Sequence, residues 1–190
     1  MKKNEMLSKI ESLEGLGYSR QFVAMVYVHF ITGCRISDLL SLTGRDFTEN
    51  YYVRIKQGKN SEDLVYFIDK YHDVIDIWRN SKIRISGTYS RQSIYRIYTK
   101  IGISVNRGNN RNKSVTHAFR VAIARDIVNS GMEKSVASKA LGHKSKRSID
   151  YYLNDIPSKA RFNQNVFNAP TGELEDMRIN KLGRIYMKNR

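Results

Sequence analysis

Three short blocks hold the residues whose types and spacing could do chemistry. In TGCRISDLL, Arg35 follows Gly33 and sits between two apolar stretches. In THAFR, His117 and Arg120 stand three apart near the expected start of a helix, where neighbours on one face can meet a common ligand. The exposed N–H groups of such a helix end also favour an anion. In LGHKSKRSIDYY, His143 follows Gly142 and Tyr152 comes nine residues later. Two guanidinium groups, two imidazoles and a phenol suit reaction at a phosphodiester. Planar guanidinium groups bond phosphate oxygens bidentately and stabilise the charge that builds in the transition state. A phenol with an ordinary pKa of about 10 can act as nucleophile if cationic or basic neighbours activate it.

Each residue alone also has an ordinary reading. Arg35 could be a core-edge arginine paired with Asp38 or with a helix C-terminus. His117 could cap or pack, and Arg120 could be a surface cation. Adjacent tyrosines in a chain with twelve of them pack amphipathically by default. The combination favours the chemical reading. Between the two tyrosines, consecutive helical side chains diverge by about 100°, so both cannot face one phosphate equally. Tyr151 is the rival to Tyr152, which the spacing from His143 favours.

The elements that must position these residues follow from periodicity. Met6, Leu7, Ile10 and Leu13 recur at helical spacing until Gly15 and Gly17. Ser19 can cap a second helix, with Phe22, Val23, Val26, Tyr27 and Phe30 buried and Gly33 ending it. A short helix carries Leu39, Leu40 and Leu42. YYVRIKQ and LVYFI, β-branched and aromatic around a polar GKNSED, predict a β-hairpin. Helical spacing returns over 69–79, and again over 90–101 between Ser90 and Gly102. VNRGNNRNKSV is polar and aperiodic and reads as an exposed loop. Thr116 can cap the next helix, whose buried stripe is Phe119, Ile123 and Ile127 and which Gly131 stops. Further helices are expected through Val136–Ala140 and over 148–154. The fold class is therefore α+β, mainly α, with a small antiparallel sheet.

Composition narrows the partners. Among 190 residues, 33 basic against 18 acidic give a formal charge of +15, a field that attracts polyanions, with nucleic acid foremost. A single cysteine, Cys34, excludes an intrachain disulfide and fits a reducing, cytoplasmic setting. MKKNEMLSKIESLEGLG leads into no apolar run of signal or membrane-spanning length, so neither export nor a membrane partner is expected. There is no GxxxxGK[ST] loop and no evident two-metal carboxylate cluster, and no cofactor or metal is expected.

In order and spacing, these blocks resemble the tyrosine recombinase and phage integrase family over roughly residues 6–154. TGCRISDLL looks like its first arginine motif, QGKNSEDLVYFI like its lysine-bearing hairpin, THAFR like its His-x-x-Arg motif, and LGH followed by tyrosine like its closing motif. The resemblance implies a helical catalytic domain over 1–160 and a C-terminal tail over 161–190 that can pack on a neighbouring protomer. It implies that Arg35 and Arg120 grip the scissile phosphate with His117 and His143 beside it. Tyr152 would attack phosphorus, and Lys59 would protonate the leaving 5′ hydroxyl. Lys56 is the nearby alternative, placed to point to the other side of the strand.

The implied activity is site-specific cleavage and rejoining of double-stranded DNA through a 3′-phosphotyrosine. It would be carried out by a homo-oligomer, a tetramer in the synaptic complex, associated with the nucleoid. Arg91, Arg96, Arg107, Arg111 and Lys113 are candidate DNA contacts, with a solvated surface as their alternative role. A recombinase-fold regulator that binds DNA without cleaving it is the competing function.

Overall fold

The computed structural model describes residues 3–56, 63–107, 110–143 and 147–153, and two short strands at 178–179 and 185–186. Helices α1 (Lys3–Gly15), α2 (Arg20–Thr32) and α3 (Ile36–Ser41) lead through a 3-10 turn, Gly44–Asp46, to strands β1 (Tyr52–Ile55) and β2 (Leu64–Phe67). Helices α4 (His72–Ser81) and α5 (Arg91–Lys100) follow, then strands β3 (Val105–Arg107) and β4 (Asn110–Ser114). Helices α6 (Ala118–Asn129), α7 (Lys134–Ala140) and α8 (Arg147–Leu153) complete the helical set, and β5 (Arg178–Ile179) pairs with β6 (Ile185–Tyr186). The α+β, mainly helical architecture expected from the sequence is the one observed.

Two helices form the centre because their sequences are apolar nearly all round, and such a helix is stable only when surrounded. In α2 every residue from Phe22 to Phe30 is buried. In α6 the run Ala118–Ala124 and Ile127 are buried. Helices α1, α4 and α6 pack on α2, while α1, α7 and α8 pack on α6. Ser19 caps α2, its Oγ accepting from the Phe22 N–H at 3.3 Å, and Gly33 ends the helix in the left-handed region at φ +53°. Ser90 caps α5 in the same way.

Strands β1 and β2 are antiparallel, with Val53 opposite Tyr66. The period of two puts Val53 and Ile55 in the core and turns Arg54 and Lys56 outward. Lys59 lies in 57–62, outside the described residues. Strand β6 passes beside β2, and the described tail residues are strands.

Two local expectations are corrected. The stretch read as an exposed loop around Arg107, Arg111 and Lys113 pairs as an antiparallel hairpin, Val105 opposite Ser114 and Asn106 opposite Lys113. It has no apolar alternation to reveal it, and backbone pairing alone carries no residue signature. Helix α6 begins at Ala118, with His117 and not Thr116 at the N-cap position; the Thr116 hydroxyl lies 3.4 Å from His117 Nδ1.

Gly44 marks a close approach of two backbone segments. Its N–H donates to the Ile83 carbonyl at 2.9 Å, and a Cβ there would overlap the Trp78 carbonyl. Because the obstacle is backbone, it cannot rotate away. Gly44→Ala should lower stability by at least about 2 kcal/mol, read as a shifted denaturant midpoint at unchanged m-value.

Candidate functional site

The site is assembled around one buried cation. Arg120 is 2% exposed, and its Nη1 donates to the Gly33 carbonyl at 2.9 Å while its Nη2 donates to the Leu141 carbonyl at 2.6 Å. Its Nε is buried and has no partner among the described residues. The guanidinium thus joins the end of α2, the first turns of α6 and the end of α7. Helix α2 can come this close because Gly33 has no side chain: a Cβ there would lie 2.6 Å from Ile123 Cδ1 and 3.4 Å from Arg120 Cα.

Arg35 leaves this junction as the N-cap of α3. Its N–H donates to Asp38 Oδ2 at 3.3 Å, and its Nη1 lies 3.8 Å from the same oxygen with 48% of the side chain exposed. The pairing with Asp38 considered from sequence is therefore present, though loose and open to solvent.

The backbone before Arg35 is held from beneath by a histidine that sequence reasoning passed over. Buried His29 places Nε2 3.1 Å from the Cys34 carbonyl and Nδ1 2.9 Å from the Tyr98 hydroxyl. A carbonyl only accepts, so Nε2 carries the proton and Tyr98 donates to Nδ1. The Phe119 ring stands edge-on to His29 at 5.1 Å. Burial pushes the His29 pKa down to about 3, keeping it neutral, and pushes the Cys34 thiol up to about 12. The available signal was a lone polar residue inside the otherwise apolar VYVHFI.

On the other side, α7 ends in a Schellman turn: the Gly142 N–H donates to the Lys139 carbonyl, and the His143 N–H to Ser138 at 2.9 Å, with Gly142 at φ +62°. The Tyr66 hydroxyl donates to the Ala140 carbonyl at 2.7 Å, tying β2 to the same turn. His143 is presented by this turn with its pKa lowered to about 4, first by burial and then by the charges of Arg120 and Arg35. It is therefore neutral at pH 7, and its Nδ1 has no hydrogen-bond partner among the described residues.

The ring of Tyr152 lies 5.3 Å from that of His143. Tyr152 is 7% exposed, and its carbonyl accepts from Arg125 Nε of α6 at 3.1 Å. The Lys134–Asp150 ion pair, 2.9 Å, joins α7 to α8. The side chain of Tyr151 lies outside the described residues. His117, half-buried at the head of α6, is close enough for its charge to be felt at His29.

The structure thus gathers Arg35, Arg120, His143 and Tyr152 about one junction, with His117 on the same helix end. Arg91 and Arg96 are exposed on α5; the side chains of Arg107, Arg111 and Lys113 lie outside the described residues. Among the described residues there is no group of three or more His, Cys, Asp or Glu placed to hold a metal ion, and no helix long and apolar enough to cross a membrane.

Comparison with known proteins gives a consistent picture. The model of the phage integrase family matches residues 5–158. Among solved structures, the chain is similar to the XerH site-specific recombinase in a post-cleavage complex with its palindromic difH substrate: 20% identity, TM-score 0.58, covering 80% of this chain and 48% of that one. It is similar to XerA recombinase at 18% identity and TM-score 0.57, covering 83% and 60%. The catalytic domain of bacteriophage HP1 integrase matches at 18% identity and TM-score 0.58, covering 90% of this chain and 98% of that domain. The chain therefore spans about half of the XerH chain and nearly all of the HP1 catalytic domain. No curated protein matches it by sequence.

Replacing Arg120 by Met should destabilise the fold by about 2–4 kcal/mol, because the Gly33 and Leu141 carbonyls lose charged donors in a buried place. Urea unfolding measures this. Acid should act through the histidines: His143 and His29 bind protons more weakly folded than unfolded, where the ordinary pKa is about 6.5. Stability therefore falls as pH drops from about 6.5 towards 4 through His143 and towards 3 through His29, and is insensitive to these groups above that window. Melting temperature against pH should show this slope, and His143→Asn should flatten part of it.

Proposed function

Because this chain belongs to the phage integrase family, we propose that it is a site-specific DNA recombinase that cleaves and rejoins strands through a covalent 3′-phosphotyrosine at Tyr152. The observation that carries the reading is the meeting of the three sequence blocks at the Arg120 guanidinium, with the Tyr152 ring against a histidine held neutral. The likeness to recombinases bound to their DNA substrates supports DNA as the partner.

In this reading Arg35 and Arg120 bind the non-bridging oxygens of the scissile phosphate. A guanidinium has five N–H donors, and the two carbonyl bonds leave others for an anion. Tyr152 Oη attacks phosphorus, the new O–P bond forms, and the bond to the 5′ oxygen breaks. The phenolic proton passes to His143, the neutral base packed against it, while Lys59 supplies the proton taken by the leaving oxygen. His117 stands beside the phosphate from the head of α6. The phosphotyrosine keeps the free energy of the broken bond, so the 5′ hydroxyl of a second strand can reverse the attack without ATP. Exchange between two duplexes calls for several protomers, a tetramer on DNA, with the tail over 161–190 as a docking element between them. Arg91 and Arg96 are proposed DNA contacts, with Arg107, Arg111 and Lys113.

One observation favours a second reading. Arg120 holds two backbone carbonyls, a structural duty that would keep it in a regulator binding DNA without cleaving it.

A nicked suicide substrate separates the two. Wild type and Tyr151→Phe should form a denaturation-resistant protein–DNA adduct, Tyr152→Phe none, and Lys59→Ala should form it about 10²-fold or more slowly. Site-specific binding without any adduct would establish the regulator instead.

A further inference from the structure

Resting on the DNA-acting reading above, we propose that a basic cleft beside the Arg35 end of the site holds the DNA backbone phosphates that flank the scissile one. The cleft has a volume of about 520 Å³ and is lined by Arg45, Arg54, Lys56 and Lys82, with the hydroxyls of Thr43 and Thr48 among them. Three separate pieces of chain supply the cations: the 3-10 turn with Arg45, strand β1 and the residue that follows it with Arg54 and Lys56, and the end of α4 with Lys82. Arg54 and Lys56 share a face because they are two apart on a strand whose alternate residues fill the core.

Among the described residues, the one carboxylate that lines the cleft is already committed. Asp46 Oδ2 accepts from the Thr43 N–H at 2.9 Å and the Thr43 hydroxyl at 3.0 Å, and Oδ1 lies 3.4 Å from Lys56 Nζ. The side chains of Arg45, Arg54 and Lys82 make no ion pair or hydrogen bond among the described residues, whereas those of Arg20, Lys70, Arg79 and Lys134 are all paired. Convergent unpaired cations in a concavity concentrate anions.

Lys82 adds an independent sign. It ends α4 in the left-handed region at φ +55°, where glycine would sit without strain. What the protein gains there is the lysine side chain.

Three features select a nucleic-acid backbone as the occupant. The cations are distributed along an open cleft, which suits a chain of charges better than one small anion. Among the described residues no aromatic or aliphatic side chain lines it, so none of them stacks a base. The cleft also continues towards the site through a second cavity of about 190 Å³, which shares Ser41, Asp46 and Lys56 and reaches Asp38, the partner of Arg35. A duplex gripped at Arg35 would therefore run into it.

The test compares Arg54→Gln/Lys82→Gln with Arg20→Gln/Lys70→Gln, a surface pair of equal charge change, on a random-sequence duplex. Each phosphate contact contributes about 0.9 to the slope of log K against log salt. The cleft pair should lower that slope by about 1 to 2, and the control pair should leave it unchanged. Thermal melts verify folding, and Arg45→Gln/Arg54→Gln serves as a second cleft variant. Equal slopes for cleft and control variants would overturn the cleft while leaving the recombinase reading intact, provided the wild type forms its Tyr152 adduct. Wild-type protein with no salt-dependent duplex binding would overturn both.

Discussion

The arrangement depends on one buried guanidinium bonded to two backbone carbonyls. Arg120 donates to Gly33 and to Leu141, residues 87 and 21 positions away in sequence. A charge this deep costs several kcal/mol in desolvation unless oxygens surround it. Here the ends of α2 and α7 supply carbonyls that those helices cannot satisfy internally. The need is mutual, and satisfying it fixes where Arg35 and His143 emerge. Gly33 makes the approach possible, and the Tyr66 and His29 hydrogen bonds brace the two backbone segments from outside.

Burial first, and then the same concentration of positive charge, sets the state of the histidines. With Arg120 and Arg35 in range and little solvent, the imidazole of His143 does not hold a second proton near neutrality. A neutral ring can accept a hydrogen bond as well as donate one, which an imidazolium cannot. An anion placed among these cations would offset their repulsion of a proton, so the histidine's readiness to titrate is coupled to occupancy of the site.

Much of this was legible because chemistry constrains residue type. Arg35, His117, Arg120, His143 and Tyr152 stood out by kind and spacing, and Ser19, Gly33 and Ser90 by their capping roles. The central helices were legible because burial on all sides demands apolar sequence. What stayed hidden has physical reasons. Carbonyl acceptors belong to every residue, so nothing in the letters says that Gly33 and Leu141 receive Arg120. The segments of β3 and β4 are mostly polar in sequence with no apolar alternation, and a strand announces itself only when one face is dry. His29 looked like an interruption of an apolar helix because its partners, Tyr98 and Cys34, are a tertiary and a backbone contact. The cleft around Arg54 and Lys82 joins segments far apart in sequence, each of which reads singly as ordinary solvated surface.

The two arginines of the junction differ in a way that their shared residue type conceals. Arg35 is half exposed and held only loosely by Asp38, so closing on a ligand would restrict its many rotamers at that moment. Arg120 has surrendered that freedom already, on folding, to the two carbonyls that clamp it. One is a fixed jaw and the other a movable one. The disorder lost on capture falls on a single side chain, and the fixed jaw sets the orientation to which the movable one adapts.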